Sequence, residues 1–225
     1  MEARVGGKTA EDVFHDPQTL ALVTAACDGN VAKIEALTKQ GANVNATGYR
    51  DMTPLFWAMA CKNYAGIEKL LELGADPNYK MEDDISAMWA SAGSDDPHFL
   101  PLMLAHGGDP NIRSGYQSAL MIAMEQNRKQ NFYLLLEHGA DVNQVTEADN
   151  TVATYAAALN KFDVVADLLR HGYTHNLRFL RRMVQISVIL PDSEEGKAKD
   201  KVVQMLEARG VKFPVPPMLN TPTSH

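Results

Sequence analysis

The chain has 225 residues, of which 45% are hydrophobic, so it can bury the core of one large domain or of two small ones. Its formal net charge of −7 argues against a broad nucleic-acid-binding surface, which needs clustered lysine and arginine, and leaves a basic protein partner open. No apolar run approaches the roughly 18 residues that a membrane-spanning helix needs.

The N-terminal residues 1–14 contain no apolar core of a signal peptide, and we expect a flexible arm there. The chain as written favours a soluble cytoplasmic protein, and a periplasmic one if a leader or lipoprotein signal has been removed. Gly-Gly-Lys-Thr at 6–9 resembles the end of a phosphate-binding P-loop, but Glu2 occupies the position of its first glycine. Cys27 and Cys61 are too few for a disulfide framework and have no metal-ligand spacing, so the compartment stays open.

A glycine-containing turn recurs along the chain. Its copies begin at Gly41, Gly74, Gly107, Gly139 and Gly172, in steps of 33, 33, 32 and 33 residues. A second marker, a Thr or Ser before an apolar run, lies 21 residues before each of the last four glycines. These residues are Thr53, Ser86, Ser118 and Thr151. A fixed period of this length is the signature of a repeat protein.

The physical chemistry of one unit predicts two short helices and a turn. The hydroxyl of Thr53 can cap a helix N-terminus, and Pro54 suits the first helical position because its missing N–H has no partner there. Ile67, Leu70 and Leu71 then follow at the spacing of a second helix. The glycine at the end of that helix supplies a positive φ. One unit alone cannot bury its apolar face, but stacked units can.

These features resemble ankyrin repeats in their period, in the Thr-Pro-Leu start and in the Gly-Ala-Asp-x-Asn finish. The resemblance implies an all-α solenoid of stacked helix pairs with protruding hairpins. The family's usual histidine after Thr-Pro-Leu is replaced by Phe56, Trp89, Met121 and Thr154, so we expect more apolar packing there. The expected segments are an N-terminal capping repeat at about 15–45, repeats at 46–78, 79–111, 112–143 and 144–176, modified capping helices at 177–213, and a Pro-rich disordered tail at 214–225.

A column of histidines, His106, His138 and His171, precedes three of the repeat glycines. Two histidines on layers about 8–10 Å apart cannot share a zinc ion with bonds near 2.1 Å. We therefore interpret the column as helix C-terminal residues that interact with terminal carbonyls. We predict no catalytic, cofactor-binding or metal-binding residues.

The resemblance implies that the hairpins and first helices form a concave surface that binds other proteins. Aromatic and acidic side chains alternate along the predicted hairpins, as in many specific interfaces, although Asp is also common in solvated turns. An aspartate replaces the family's hairpin glycine at positions 51, 84 and 149, and Tyr116 replaces it in the third hairpin. The candidate partner-binding residues are Tyr49, Arg50, Asp51, Trp57, Glu82, Asp83, Asp84, Tyr116, Glu125, Glu147 and Asp149.

Three further stretches are similar to bacterial ankyrin proteins that accompany type VI secretion phospholipases as immunity proteins. They are the lead-in over 16–30, Gly-Gly-Asp-Pro at 107–110, and the end of the cap over 202–213. The resemblance implies a non-enzymatic protein, monomeric when free, that forms a 1:1 complex with a lipase toxin. The alternatives are an ankyrin adaptor or host-directed effector, and an enzyme that uses the charged segment 178–195, where no recognised catalytic arrangement occurs.

Overall fold

A computed structural model describes residues 3–213, so the expected tail at 214–225 lies outside the described residues. Thirteen helices are described. They are α1 Ala10–Val13, α2 Pro17–Cys27, α3 Val31–Lys39, α4 Pro54–Cys61, α5 Tyr64–Glu72, α6 Ala87–Gly93, α7 Phe99–Ala105, α8 Ala119–Glu125, α9 Lys129–Glu137, α10 Val152–Ala158, α11 Phe162–Arg170, α12 Leu177–Ile186 and α13 Glu194–Glu207. A 3-10 turn spans Tyr49–Asp51, and the short strands β1 (Arg113–Ser114) and β2 (Gln117–Ser118) pair antiparallel.

The chain divides into two compact units, Met1–Gln144 and Val145–His225. In the first unit α2 packs on α3, α4 on α5, α6 on α7 and α8 on α9, and neighbouring pairs pack through their first helices. The second unit packs α10 on α11, α10 on α12, and α13 on α11 and α12. Stacked helix pairs therefore form the all-α solenoid that the repeat predicts.

The predicted N-caps and terminating glycines of the repeat helices are confirmed. The side chains of Thr53, Ser86, Ser118 and Thr151 each accept the backbone N–H three residues later, as N-caps do. The five repeat glycines have φ between +81° and +101°. The imidazole Nδ1–H groups of His138 and His171 donate to backbone carbonyls four residues earlier at 2.8 Å, which confirms the interpretation of these two histidines as helix-end residues.

Asparagine side chains connect successive turns. Asn78 donates from Nδ2 to Gly107 O at 2.9 Å and accepts from Asp109 N at 2.8 Å. Asn45 makes the equivalent bonds to Gly74 O and Asp76 N of the turn that follows it. Asn111 accepts from Asp141 N at 2.7 Å. Each asparagine thereby satisfies backbone groups of the next repeat, which fixes the register of the stack.

The two cysteines form a disulfide between the last residues of α2 and α4, with Cα atoms 5.2 Å apart. Sequence reasoning missed this bond, which joins Cys27 and Cys61 across adjacent repeats. A Cβ at Gly66 would lie 2.0 Å from Ala26 O, so the glycine permits the close approach of α5 to α2 beside the bridge.

The N-terminal segment differs from the expected flexible arm. Thr9 caps α1, and Val13 and Phe14 are buried against Val23 and Trp57. The Phe14 and Trp57 rings meet edge to face with their centroids 5.9 Å apart. The apolar pair at 13–14 thus belongs to the core of the first unit.

The C-terminal cap consists of α12 and α13, which pack on each other and fully bury Leu180, Val184, Val202 and Leu206. Helix α12 ends at Ile186, because Ser187 is extended and its carbonyl accepts from Lys199. Within residues 3–213, no helix is long and apolar enough to cross a bilayer.

Candidate protein-binding surface

The candidate surface is built from three turns between repeats of the first unit, called finger 1 (49–52), finger 2 (81–85) and finger 3 (113–117). The corresponding turn of the second unit, finger 4 (147–150), is described separately. Each finger enters the first helix of its repeat through the capping Thr or Ser, so its position is set by a buried helix start.

The aspartates at the hairpin glycine position take the left-handed backbone conformation that favours glycine. Asp51, Asp84 and Asp149 have φ between +58° and +60°. Aspartate tolerates this left-handed conformation better than most residues. In finger 3 the left-handed residue is Gly115, with φ +55°, one position before Tyr116, which stands where the family has glycine.

Arg50 joins finger 1 to finger 2. Its Nε lies 3.2 Å from Glu82 Oε2, and its Nη2 contacts the Asp83 carboxylate. Glu82 N also donates to Arg50 O at 3.4 Å. The guanidinium is thus held by two carboxylates of the neighbouring finger, which favours one orientation of the pair.

Asp84 joins finger 2 to finger 3. Its Oδ2 accepts from Gly115 N at 2.5 Å, and its Oδ1 lies 2.8 Å from Lys80 Nζ. The hydrogen bond from Lys80 and then that from Gly115 hold the pKa of Asp84 below its usual value. This aspartate therefore stabilises the arrangement of the fingers.

These contacts largely neutralise the acidic side chains of finger 2. Three carboxylates, at 82, 83 and 84, face two cations, Arg50 and Lys80, so the local formal charge is −3 + 2 = −1. Exposed ion pairs of this kind contribute little stability each, but a network fixes side-chain positions.

Two tyrosines are the large apolar side chains that fingers 1 and 3 expose. Tyr49 is 51% exposed and Tyr116 is 60% exposed. The ammonium of Lys8 lies 4.4 Å from the centroid of the Tyr49 ring, within the range of a cation–π contact. Tyrosine offers a large contact area with few rotatable bonds, as residues at the centre of interfaces do.

Trp57 does not belong to this surface, although the sequence places it among the candidates. It is 1% exposed and packs in the cluster with Phe14. The N-terminal segment covers the face that Trp57 would otherwise present. The apolar pair Val13 and Phe14, one residue away from the Asp-Pro helix start at 16–17, is the sequence signal for this covering.

Glu125 is half-buried at the end of α8, and its carboxylate accepts from the side chain of Gln117 in finger 3. It therefore fixes the finger to the helix that follows it.

Finger 4 of the second unit contains Glu147, which is exposed, and Asp149. Asp149 lies 2.7 Å from His175 Nε2 and 3.3 Å from Asn176 Nδ2. The hydrogen bonds from His175 and then Asn176 hold the pKa of Asp149 below its usual value. Asp149 thus joins finger 4 to the start of α12.

The candidates now separate by what they contact. Arg50, Glu82, Asp83, Asp84, Glu125 and Asp149 hold fingers in place, and Tyr49, Asp51, Tyr116 and Glu147 extend from them. Among residues 3–213, no three His, Cys, Asp or Glu side chains are grouped closely enough to hold a metal ion.

Comparison with known proteins agrees with the repeat architecture. A family model described as ankyrin repeats (3 copies) matches residues 7–81 and 87–178. Protein PhlB of Serratia liquefaciens is 32% identical over 150 residues, which cover 66% of this chain and 66% of PhlB.

Two animal proteins match over similar lengths. The human SH3 and multiple ankyrin repeat domains protein 2 is 28% identical over 171 residues, covering 73% of this chain and 9% of that protein. The mitochondrial disaggregase of Bos taurus is 31% identical over 142 residues, covering 60% of this chain and 21% of that protein. The chain thus spans just under two thirds of the length of PhlB and a small part of the other two. With the family model matching more than half of the chain, this protein belongs to the ankyrin-repeat family.

Proposed function

We propose that fingers 1 to 3 bind another protein, with Tyr49 and Tyr116 as the anchoring side chains. Ankyrin repeats are protein-binding modules, and the observation that carries this site is an exposed tyrosine on each of two fingers that ion pairs and hydrogen bonds hold in place. A surface ordered before binding loses little conformational entropy when a partner docks. Asp51, exposed in the same turn as Tyr49, supplies a charged group for the rim.

The finer proposal is that the partner is a type VI phospholipase effector and that this chain is its immunity protein. The similarity of three stretches, at 16–30, 107–110 and 202–213, to immunity proteins supports it. The disulfide also supports it, because such bonds persist in oxidising compartments such as the bacterial periplasm. The proposed protein is monomeric when free and blocks its toxin in a 1:1 complex.

The test combines binding with inhibition. A type VI lipase encoded beside this gene is purified, titrated with the chain by calorimetry, and assayed for phospholipid hydrolysis. Immunity requires saturation at one chain per lipase and loss of hydrolysis at the same ratio. A lipase that neither binds the chain nor loses activity refutes the immunity proposal.

Finger variants locate the site. We expect Tyr49→Ala and Tyr116→Ala each to weaken binding by roughly tenfold to thirtyfold, as for anchoring aromatic residues. Ile186→Ala is the control, because it removes a side chain that is 62% exposed at the end of α12. A loss of affinity in the control, with unchanged binding by the tyrosine variants, would assign the site to the C-terminal cap.

The second candidate is an adaptor or host-directed effector that holds a cellular protein without inhibiting a toxin. The similarity to part of a large human multidomain protein favours this candidate. Gene neighbourhood separates the two, because an adjacent lipase gene favours immunity and its absence favours the adaptor.

A further inference from the structure

A basic cleft lies in the second unit, between the start of α12 and the end of α13. Its volume is about 880 Å³, and Arg178, Arg181, Arg209 and Lys212 line it. The remaining wall comes from Thr174, from 176–177 and from 210–211, and the lining contains no Asp or Glu. Four cations thus converge without a lining carboxylate, in a chain whose formal net charge is −7. Such a cleft concentrates a positive potential.

Two of the arginines are fixed by the backbone. Arg181 Nη1 donates to Lys212 O at 2.8 Å, and Arg209 donates to Met205 O and Leu169 O, both at 2.8 Å. Their guanidinium groups are therefore oriented before any ligand arrives. A pre-oriented guanidinium loses little rotamer entropy when it binds an anion.

One donor in the cleft wall is unsatisfied. Arg181 Nε is buried and has no hydrogen-bond partner among the described residues. A buried donor without an acceptor is costly, so this guanidinium has hydrogen-bonding capacity that the described residues leave unused. The first-turn amides of Leu177 and Arg178 also lack intrahelical acceptors, whereas Asn176 Oδ1 accepts from Phe179 N at 3.2 Å.

We infer that this cleft binds a phosphate-type oxyanion. One carboxylate would balance a single charge of the four, whereas a phosphoryl group carries up to two charges and several acceptor oxygens for guanidinium and amide donors. Arg178 and Lys212 are exposed and able to close on the ligand. Asp149, which bonds to the rim residue Asn176, already pairs with His175.

A soluble phosphate and a phospholipid headgroup share this chemistry. The inference uses residues 174–212 and stands independently of the proposed protein-binding fingers. Loss of one function therefore leaves the other measurable on the same purified chain.

The experiment measures both sources on the full chain. Inorganic pyrophosphate is titrated at low salt by calorimetry, with ¹⁵N-labelled protein to follow the amide signals of Leu177, Arg178 and Gly210. In parallel, the chain is sedimented with vesicles of phosphatidylcholine that contain or lack phosphatidic acid. Saturable binding of pyrophosphate assigns a soluble phosphate, and binding only to phosphatidic acid vesicles assigns a lipid headgroup.

Charge-matched variants decide whether the cleft is responsible. Arg178→Gln and Lys212→Gln are expected to weaken binding roughly tenfold. Arg182→Gln removes the same charge from an exposed residue of α12 outside the cleft and is expected to leave binding unchanged. Equal weakening by Arg182→Gln overturns the inference, as does wild-type protein that binds neither pyrophosphate nor phosphatidic acid vesicles.

Discussion

Reduction of the Cys27–Cys61 disulfide is expected to lower the free energy of unfolding of the first unit by about 3–4 kcal/mol. The bridge joins residues separated by 34 positions. In the chain-entropy account, cross-linking a loop of that length removes about 3–4 kcal/mol of conformational freedom from the unfolded state at 25 °C. The bond also fixes the ends of α2 and α4, so its loss reduces the constraint between the first two helix pairs.

Urea unfolding followed by circular dichroism measures this effect. With a slope near 2 kcal/mol per molar, the midpoint of the first-unit transition is expected to fall by roughly 1.5–2 M on adding a thiol reductant. The double variant Cys27→Ser/Cys61→Ser is the control, because its midpoint must not respond to reductant. Thiol titration in denaturant establishes the redox state of each sample.

Two results would refute this reasoning. Two free thiols in protein purified without reductant would show that the bridge does not form. An unchanged midpoint after complete reduction would show that the bridge forms but does not constrain the unfolded chain.

Other substitutions test the contacts of the first unit. Phe14→Ala should destabilise the protein by roughly 3–5 kcal/mol and shift the fluorescence of Trp57 to longer wavelength. His15→Ala, at an exposed position, should change neither the stability nor the fluorescence. Equal unfolding midpoints for the two variants would mean that the N-terminal segment does not pack on the core. The pKa of Asp84 is lowered in the folded state, so its contribution to stability is complete above the unfolded pKa near 3.8 and is lost as pH falls through the lower folded value. Asp84→Asn should therefore lower the urea midpoint at pH 7. A gap between the wild-type and variant midpoints that does not narrow below about pH 4 would contradict this account. Asn78→Ala removes the two hydrogen bonds to the following turn and should lower the free energy of unfolding, measured in urea, by roughly 1–3 kcal/mol. Wild-type stability in this variant would show that these bonds do not fix the register of the repeats.

The repeat architecture could be predicted because its determinants are local. A capping hydroxyl such as Thr53 and a positive-φ glycine such as Gly74 act within a few residues, and the 33-residue period repeats them. The aspartates with positive φ could also be located from the sequence, because they occupy the hairpin position where the family has glycine. In finger 3 the residue with positive φ is Gly115 and not Tyr116, because the two-residue turn between β1 and β2 moves this conformation one position earlier.

Contacts between repeats were harder to predict. Cys27 and Cys61 end the first helices of adjacent repeats, and their separation of 34 is one residue more than the usual period. Aligning the two repeats places both cysteines at the end of a first helix and predicts the pair, whereas the number of cysteines alone does not. Trp57 was misplaced because the residues that cover it, at 13–14, lie outside the repeat pattern. The ion pairs of Arg50 depend on side-chain geometry that spacing does not encode.

Quantitative affinity capture tests the central claim, that fingers 1 to 3 bind a protein, most directly. Wild-type chain, the double variant Tyr49→Ala/Tyr116→Ala and Ile186→Ala are immobilised separately, exposed to the same native lysate, and compared by mass spectrometry. The account predicts a stoichiometric partner that wild-type and Ile186→Ala retain and that the double variant loses by at least about tenfold. A partner that the double variant retains as fully as the wild type would contradict the account.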